Sequence, residues 1–219
     1  MLAKQMTSTV DAKQGYRVSL VKFVKDDLIV SLEKSQNKLR EAIWRLIDLQ
    51  TSEVITQMQS NNNPKNIKNL WIKHSDYYLV TQARDRISLW YMDNGSLRFD
   101  IACCSVSQFD LSPDTNKLIY GKADGSLYLR RHTRSSIRNL PTMNGRITAV
   151  KFSHDGDYFI TSSASGESWL FDAYTGKRVW DIQHNNNYAE KIEFTKNDAS
   201  IVIILSDGSL ELVDRQSGS

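Results

Sequence analysis

The stretch Ile147–Gln183 reads I-T-A-V-K-F-S-H-D-G-D-Y-F-I-T-S-S-A-S-G-E-S-W-L-F-D-A-Y-T-G-K-R-V-W-D-I-Q. It opens on an alternating run, I-T-A-V-K-F, the pattern of a half-buried strand. S-H-D-G follows, with Asp and Gly where a chain reversal needs them. Asp157–Ser162 alternates again and is rich in aromatic and β-branched residues. Ser165-Gly166 turns the chain, Trp169–Asp172 makes a third strand, Thr175-Gly176 turns it again, and Arg178–Gln183 is the fourth. Short two-sided strands separated by regular turn signals predict all-β architecture.

The same unit recurs along the chain. A large apolar residue closing the first strand appears as Phe23, Trp71, Leu111, Phe152 and Phe194. A second mark, one residue before an Asp or its stand-in, appears as Ile47, Trp90, Arg130, Phe171 and Val213, with steps of 43, 40, 41 and 42. The two marks lie 19 residues apart in four repeats and 24 apart in the first. Stacked supersecondary units keep such a period, whereas one irregular core has no reason to.

On these residues the chain resembles the WD-repeat family of β-propellers. The resemblance rests on V-K-F-S-H-D-G (Val150–Gly156), S-P-D (Ser112–Asp114) and L-F-D-A-Y-T-G (Leu170–Gly176). Leu89-Trp90 and the two D-G-S-L segments at Asp124 and Asp207 extend it. It covers essentially the whole chain. It implies an all-β fold, a β-propeller of four-stranded antiparallel blades, with five WD-like repeats here. There are departures. Tyr91 replaces the Asp expected after Trp90, and the Gly-His dipeptide expected before the first strand is absent, His184 being its nearest relic. The Trp position holds Ile47, Arg130, Phe171 and Val213 in the other repeats, so the family's buried His–Asp–Ser–Trp network is incomplete in every blade. Asp172–Trp180 also reads D-x-x-T-G-x-x-x-W, which is similar to the blade motif of quinoprotein dehydrogenases.

One domain is expected over 1–219, with blades at about 16–60, 66–102, 105–142, 144–183 and 187–219. Residues 1–15 are expected to close the ring, Met6–Ala12 supplying a fourth strand to the last blade and covering its open edge. A five-bladed ring and part of a longer, seven-bladed one both fit this pattern. Read locally, residues 33–50 look helical, with Leu39, Ile43, Leu46 and Ile47 on one helical face. Read in register, Trp44–Leu49 is the third strand of blade one, and the register is favoured because a helix would orphan a blade.

Of the 219 residues, 24% are charged and 40% apolar, ordinary for a folded domain, and the net charge of +3 does not by itself call for nucleic acid. The longest aliphatic run, Ile201–Leu205, is too short for a membrane span. No signal-peptide core follows Met1, and the adjacent Cys103 and Cys104 cannot staple distant segments. These features point to the cytoplasm, unless the chain belongs to a longer exported protein.

No catalytic constellation, metal-ligand spacing or cofactor motif stands out, so no catalytic residue, metal or cofactor is assigned. His74, His132, His154 and His184 fall at turns of different repeats and read as solvated. The segment Glu33–Arg40, with Lys34, Lys38 and Arg40, is an insertion within a blade and the candidate surface for a protein partner. The run Arg130–Arg138, with Arg131, Arg134 and Arg138, is the alternative, a phosphate or nucleic-acid site. The expected function is a non-enzymatic scaffold for protein–protein interaction. A quinoprotein-type propeller enzyme is the rival from another class.

Overall fold

The computed structural model describes residues 11–25, 27–37, 42–60, 69–73, 78–82, 86–102, 105–131 and 137–219. Every regular element among them is a β-strand. The chain divides into two compact units, residues 1–103 and 104–219.

The first unit holds two four-stranded antiparallel sheets with strands in chain order. The first sheet is β1 (Tyr16–Lys25), β2 (Leu28–Ser35), β3 (Ala42–Asp48) and β4 (Val54–Ser60). The second is β5 (Asn69–Lys73), β6 (Tyr78–Gln82), β7 (Arg86–Tyr91) and β8 (Leu97–Ala102). The segment with a local helical pattern is therefore strand β3, as the repeat register requires. All six residues Ala42–Ile47 are buried. A strand covered on both faces loses its alternation and becomes a continuous apolar run, which mimics a helix at spacings of three and four. Val30, Leu32, Trp44 and Leu46 of the first sheet pack with Leu79 and Met92 of the second.

The register corrects one sequence mark. Phe152 pairs with Phe159, which pairs with Phe171. The matching trio in the second sheet is Ile72, Leu79 and Trp90. The mark of repeat two is thus Ile72 rather than Trp71. The other repeats keep theirs: Phe23–Ile29–Ile47, Leu111–Leu118–Arg130 and Phe194–Ile201–Val213.

The second unit holds three sheets. The third sheet is β9 (Val106–Leu111), β10 (Lys117–Lys122), β11 (Leu127–Arg131) and β12 (Ile137–Asn139). The fourth is β13 (Ile147–Phe152), β14 (Tyr158–Ser163), β15 (Glu167–Asp172) and β16 (Arg178–Gln183). The fifth is β17 (Ala189–Phe194), β18 (Ser200–Leu205) and β19 (Leu210–Asp214), three-stranded among the described residues. Residues 1–10, which carry most of the expected closing strand, lie outside the described residues.

Two cores hold these sheets face to face. Phe152, Phe159, Trp169 and Phe171 of the fourth sheet meet Ile119, Leu127 and Leu129 of the third. Phe159 stacks on Phe171 at 5.1 Å and meets Phe152 edge-on at 5.5 Å, so one aromatic ladder crosses three strands. On the opposite face, Ile160 and Leu170 meet Ile192, Phe194, Ile201 and Ile203 of the fifth sheet. Phe152 and Phe194 are both buried, as the repeat register predicts.

The turns explain the rest of the period. Between third and fourth strands, the residue after the mark donates its N–H to the carbonyl five residues on in the four repeats whose turns are described: Asp48 to Glu53, Tyr91 to Ser96, Asp172 to Lys177 and Asp214 to Ser219. The fourth residue after it is left-handed in every case: Ser52, Gly95, Gly176 and Gly218. The Asp side chain caps the turn, Asp172 Oδ1 accepting from the N–H groups of Tyr174 and Thr175 and from the Thr175 hydroxyl. Tyr91 cannot do this, and there Asn94 Oδ1 accepts from Ser96 instead. The Asp of the repeat is thus a turn-forming residue.

Candidate interaction surface

Three polar constellations in the second unit could be taken for chemistry, and each is a device that joins sheets. His184 is buried rather than solvated, correcting the sequence expectation. Its Nε2 lies 2.7 Å from the Ser168 hydroxyl, and its Nδ1 lies 2.7 Å from Glu211 Oε2. Ser168 is in turn bonded to Ser162. The order serine, histidine, carboxylate has the connectivity of an acyl-transfer relay. Ser162 and Ser168 are both fully buried, however, so no substrate carbonyl can reach either hydroxyl. The chain of bonds satisfies buried polar groups across the fourth and fifth sheets.

His154 forms the second constellation. Asp198 accepts from the backbone N–H groups of His154 and Asp155 at 3.0 and 2.9 Å, and the His154 ring Nδ1 lies 2.7 Å away. A carboxylate only accepts, so Nδ1 carries the proton. Burial pushes the Asp198 pKa up, but the bonds from His154 and Asp155 outweigh it and hold the carboxyl below its ordinary value. Arg215 closes the corner, pairing with Asp155 and lying 4.6 Å over the Tyr158 ring.

Arg131 is the third. Its guanidinium donates to the Tyr174 carbonyl and sits 4.9 Å over the Tyr174 ring. It therefore ties the third sheet to the β15–β16 turn. Arg138 is exposed in β12, and Arg134 lies outside the described residues. The Trp of the D-x-x-T-G-x-x-x-W motif is similarly used: Trp180 Nε1 donates to the Arg215 carbonyl at 2.7 Å.

In the first unit, β2 runs to Ser35, with Lys34 paired to Ala42 and half-buried. The connection after it is shorter than the Glu33–Arg40 segment read from sequence. Lys38 and Arg40 lie outside the described residues, as do His74, His132, Cys103, Cys104 and Asn61–Pro64. Glu33 is a fully buried residue that sequence reasoning placed in a loop. Arg45 pairs with it, the Ser31 hydroxyl and the Lys13 N–H donate to it, and Arg45 also donates to the Asp11 carbonyl. Among the described residues no three His, Cys, Asp or Glu side chains converge as metal ligands, and no helix is long and apolar enough to cross a membrane.

Comparison with known proteins agrees with this architecture. Residues 109–186, the third and fourth repeats, match the family model of the anaphase-promoting complex subunit 4 WD40 domain. Over those two repeats the chain is similar to the WD-repeat family. A WD-repeat reading also accommodates a curated relative, eukaryotic translation initiation factor 3 subunit I of Candida albicans. It is 31% identical over 118 residues, which are 50% of this chain and 31% of that protein. The chain thus spans about a third of that relative's length. The crystal structure of the computationally designed Ika8 protein is similar in fold, with a TM-score of 0.65 at 20% identity over 89% of this chain and 57% of that one.

The position that holds Trp90 in the second sheet is used differently in the fourth. Trp90 Nε1 donates to the Thr81 hydroxyl at 3.2 Å in the second sheet. In the fourth sheet Phe171 holds the Trp position and has no N–H. Thr161, at the place of Thr81, donates to Met143 Sδ instead. The two sheets therefore share one backbone pattern and use their polar groups differently.

Proposed function

We propose that the chain is a non-enzymatic scaffold that holds protein partners through exposed loops, as one subunit of a larger assembly. The WD-repeat match over residues 109–186 carries this reading. Both named proteins it resembles are subunits by name, one of the anaphase-promoting complex and one of a translation initiation factor. The groups that look chemical in the sequence, His184, His154, Arg131 and Trp180, have partners within the fold, and this favours a binding role over turnover.

The segment from Lys34 to Arg40 is the proposed docking element, with Lys34, Lys38 and Arg40 facing an acidic protein surface. Cross-linking followed by mass spectrometry on the tagged protein in its own cells would name the partner. Reversal of Lys34, Lys38 and Arg40 to Glu is then expected to weaken that partner at least tenfold with little change in melting temperature. Loss of the partner only on Arg131→Glu with Arg134→Glu would move recognition to the Arg130–Arg138 run. A bound quinone seen in the absorbance spectrum of the purified protein would favour the enzyme reading.

A further inference from the structure

Two Asn-Gly pairs stand in the chain, Asn94-Gly95 and Asn144-Gly145. Such a pair can lose ammonia, because glycine presents its backbone nitrogen with no side chain in the way. Both asparagines are exposed, and both glycines are left-handed, with φ of 69° and 76°. The pairs differ in what holds the reacting atoms. Gly95 N–H donates to the Tyr91 carbonyl at 2.9 Å, and Asn94 Oδ1 accepts from the Ser96 N–H at 2.9 Å. Nucleophile and carbonyl are thus both tied into the β7–β8 turn. In the β12–β13 connection, Gly145 N–H meets no acceptor among the described residues. The Asn144 side chain is held by its amide nitrogen, which donates to Glu167 Oε1 in a long bond of 3.3 Å.

We propose that Asn144 is a site of spontaneous deamidation, selected over Asn94 by the hydrogen bonding of the fold. Hydroxide takes the Gly145 N–H proton, and the nitrogen attacks Asn144 Cγ. The Cγ–Nδ2 bond breaks, and ammonia leaves with a proton from water, which restores the hydroxide. The product is a five-membered succinimide. Water opens it at either carbonyl, giving aspartate or isoaspartate at position 144. The same attack at Asn94 must first break two hydrogen bonds.

The change has a structural consequence at Glu167. Either product puts a carboxylate where an amide donor stood, against a carboxylate whose Oε2 is already buried without a partner. Like charges so placed repel. Isoaspartate also adds a methylene to the main chain beside Met143. That residue is buried, with its N–H on the Gly125 carbonyl and its sulfur accepting from Thr161. Deamidation therefore loosens a connection that ties the third sheet to the fourth.

Peptide mapping by mass spectrometry, on folded protein held in mildly alkaline buffer, tests the selection. Position 144 is expected to convert on the order of tenfold faster than position 94, as the loss of two hydrogen bonds sets it. In urea, where both pairs are released, the two rates are expected to converge. Asn144→Gln is expected to stop the fast conversion, because its ring would need a sixth member. Asn144→Asp is expected to lower the urea midpoint, and Glu167→Gln in the same chain to recover most of that loss. Equal rates at the two positions in the folded protein overturn the proposal. So does a ratio that is the same in urea, which would make the flanking sequence the cause. An unchanged midpoint in Asn144→Asp, or a loss that Glu167→Gln leaves in place, overturns the consequence drawn at Glu167.

Discussion

Glu33 and Arg45 form a buried ion pair. Both lie within the first sheet, away from water, and they hold Asp11 and Lys13 against it. Glu33→Ala leaves a guanidinium buried and unpaired, and removing one partner of such a pair costs about 3–5 kcal/mol. Urea unfolding should show that loss for Glu33→Ala and a much smaller one for the double change Glu33→Leu with Arg45→Met. Asp198 acts differently, because its carboxylate is held by backbone donors. Asp198→Ala leaves two N–H groups and a ring N–H without their acceptor, an effect on the order of 1–3 kcal/mol. The pH dependence follows from the direction of the shift. Asp198, Asp172 and Asp114 are all held below their ordinary values in the fold. Their contribution is fully present above the unfolded carboxyl pKa of about 3.9 and is lost as pH falls through the lower folded values. Melting temperature should therefore be insensitive to these groups above about pH 5 and fall below about pH 4. The deficit of Asp198→Ala relative to wild type should shrink over the same acid range.

At the scale of strand and turn, the repeat pattern was legible and the polar detail was not. The marks Phe152, Phe171, Phe194 and Val213 announce buried positions because a pleated strand facing a neighbouring sheet has one chemical requirement, apolar bulk. The mark at repeat two slipped by one residue, from Ile72 to Trp71, because both are large and apolar and only backbone pairing separates them. Glu33 read as a loop residue because a charge in a strand next to Lys34 gives no sign of the Arg twelve residues later that pairs with it. His184 read as solvated for the same reason, its partners Ser168 and Glu211 being 16 and 27 residues away. Candidate partner residues could be chosen only by length and charge, which do not report what a side chain touches. The third-to-fourth strand turn, by contrast, is local and yields a prediction. Its left-handed place holds Gly in three repeats and Ser52 in the first. A left-handed residue with a Cβ costs about 1–2 kcal/mol, while Gly costs roughly 0.5–1 kcal/mol in the entropy of the unfolded chain. Ser52→Gly should thus raise stability slightly, by up to about 1 kcal/mol on these figures, measured as a higher urea midpoint with an unchanged slope. A lower midpoint would mean that the Ser52 side chain holds the turn in some other way.

Over the whole chain, stability in a stacked array is a sum of what each unit holds and what it shares with its neighbours. Within the second unit that sum is uneven. The fourth sheet is covered on both faces, by the third sheet through Phe159 and Phe171 and by the fifth through Ile160 and Leu170. Among the described residues of this unit, the fifth is covered on one face and leaves Leu210 and Leu212 exposed. Amide exchange reports local opening, and amides that need a whole core to open exchange slowest. β14 and β15 should therefore be the most protected strands of this unit, and β19 the least. Substitution should follow the same gradient. Phe171→Ala removes a fully buried ring from a ladder shared by three strands and should cost about 3–5 kcal/mol, with faster exchange across both the third and fourth sheets. Leu212→Ala removes side-chain surface that is already wet, so the loss should stay within about 0.5 kcal/mol and exchange should change only in β18 and β19. Equal protection of β19 and β15 would contradict this gradient. It would mean that the fifth sheet finds a covering surface within its own chain, and that its leucines are part of a core.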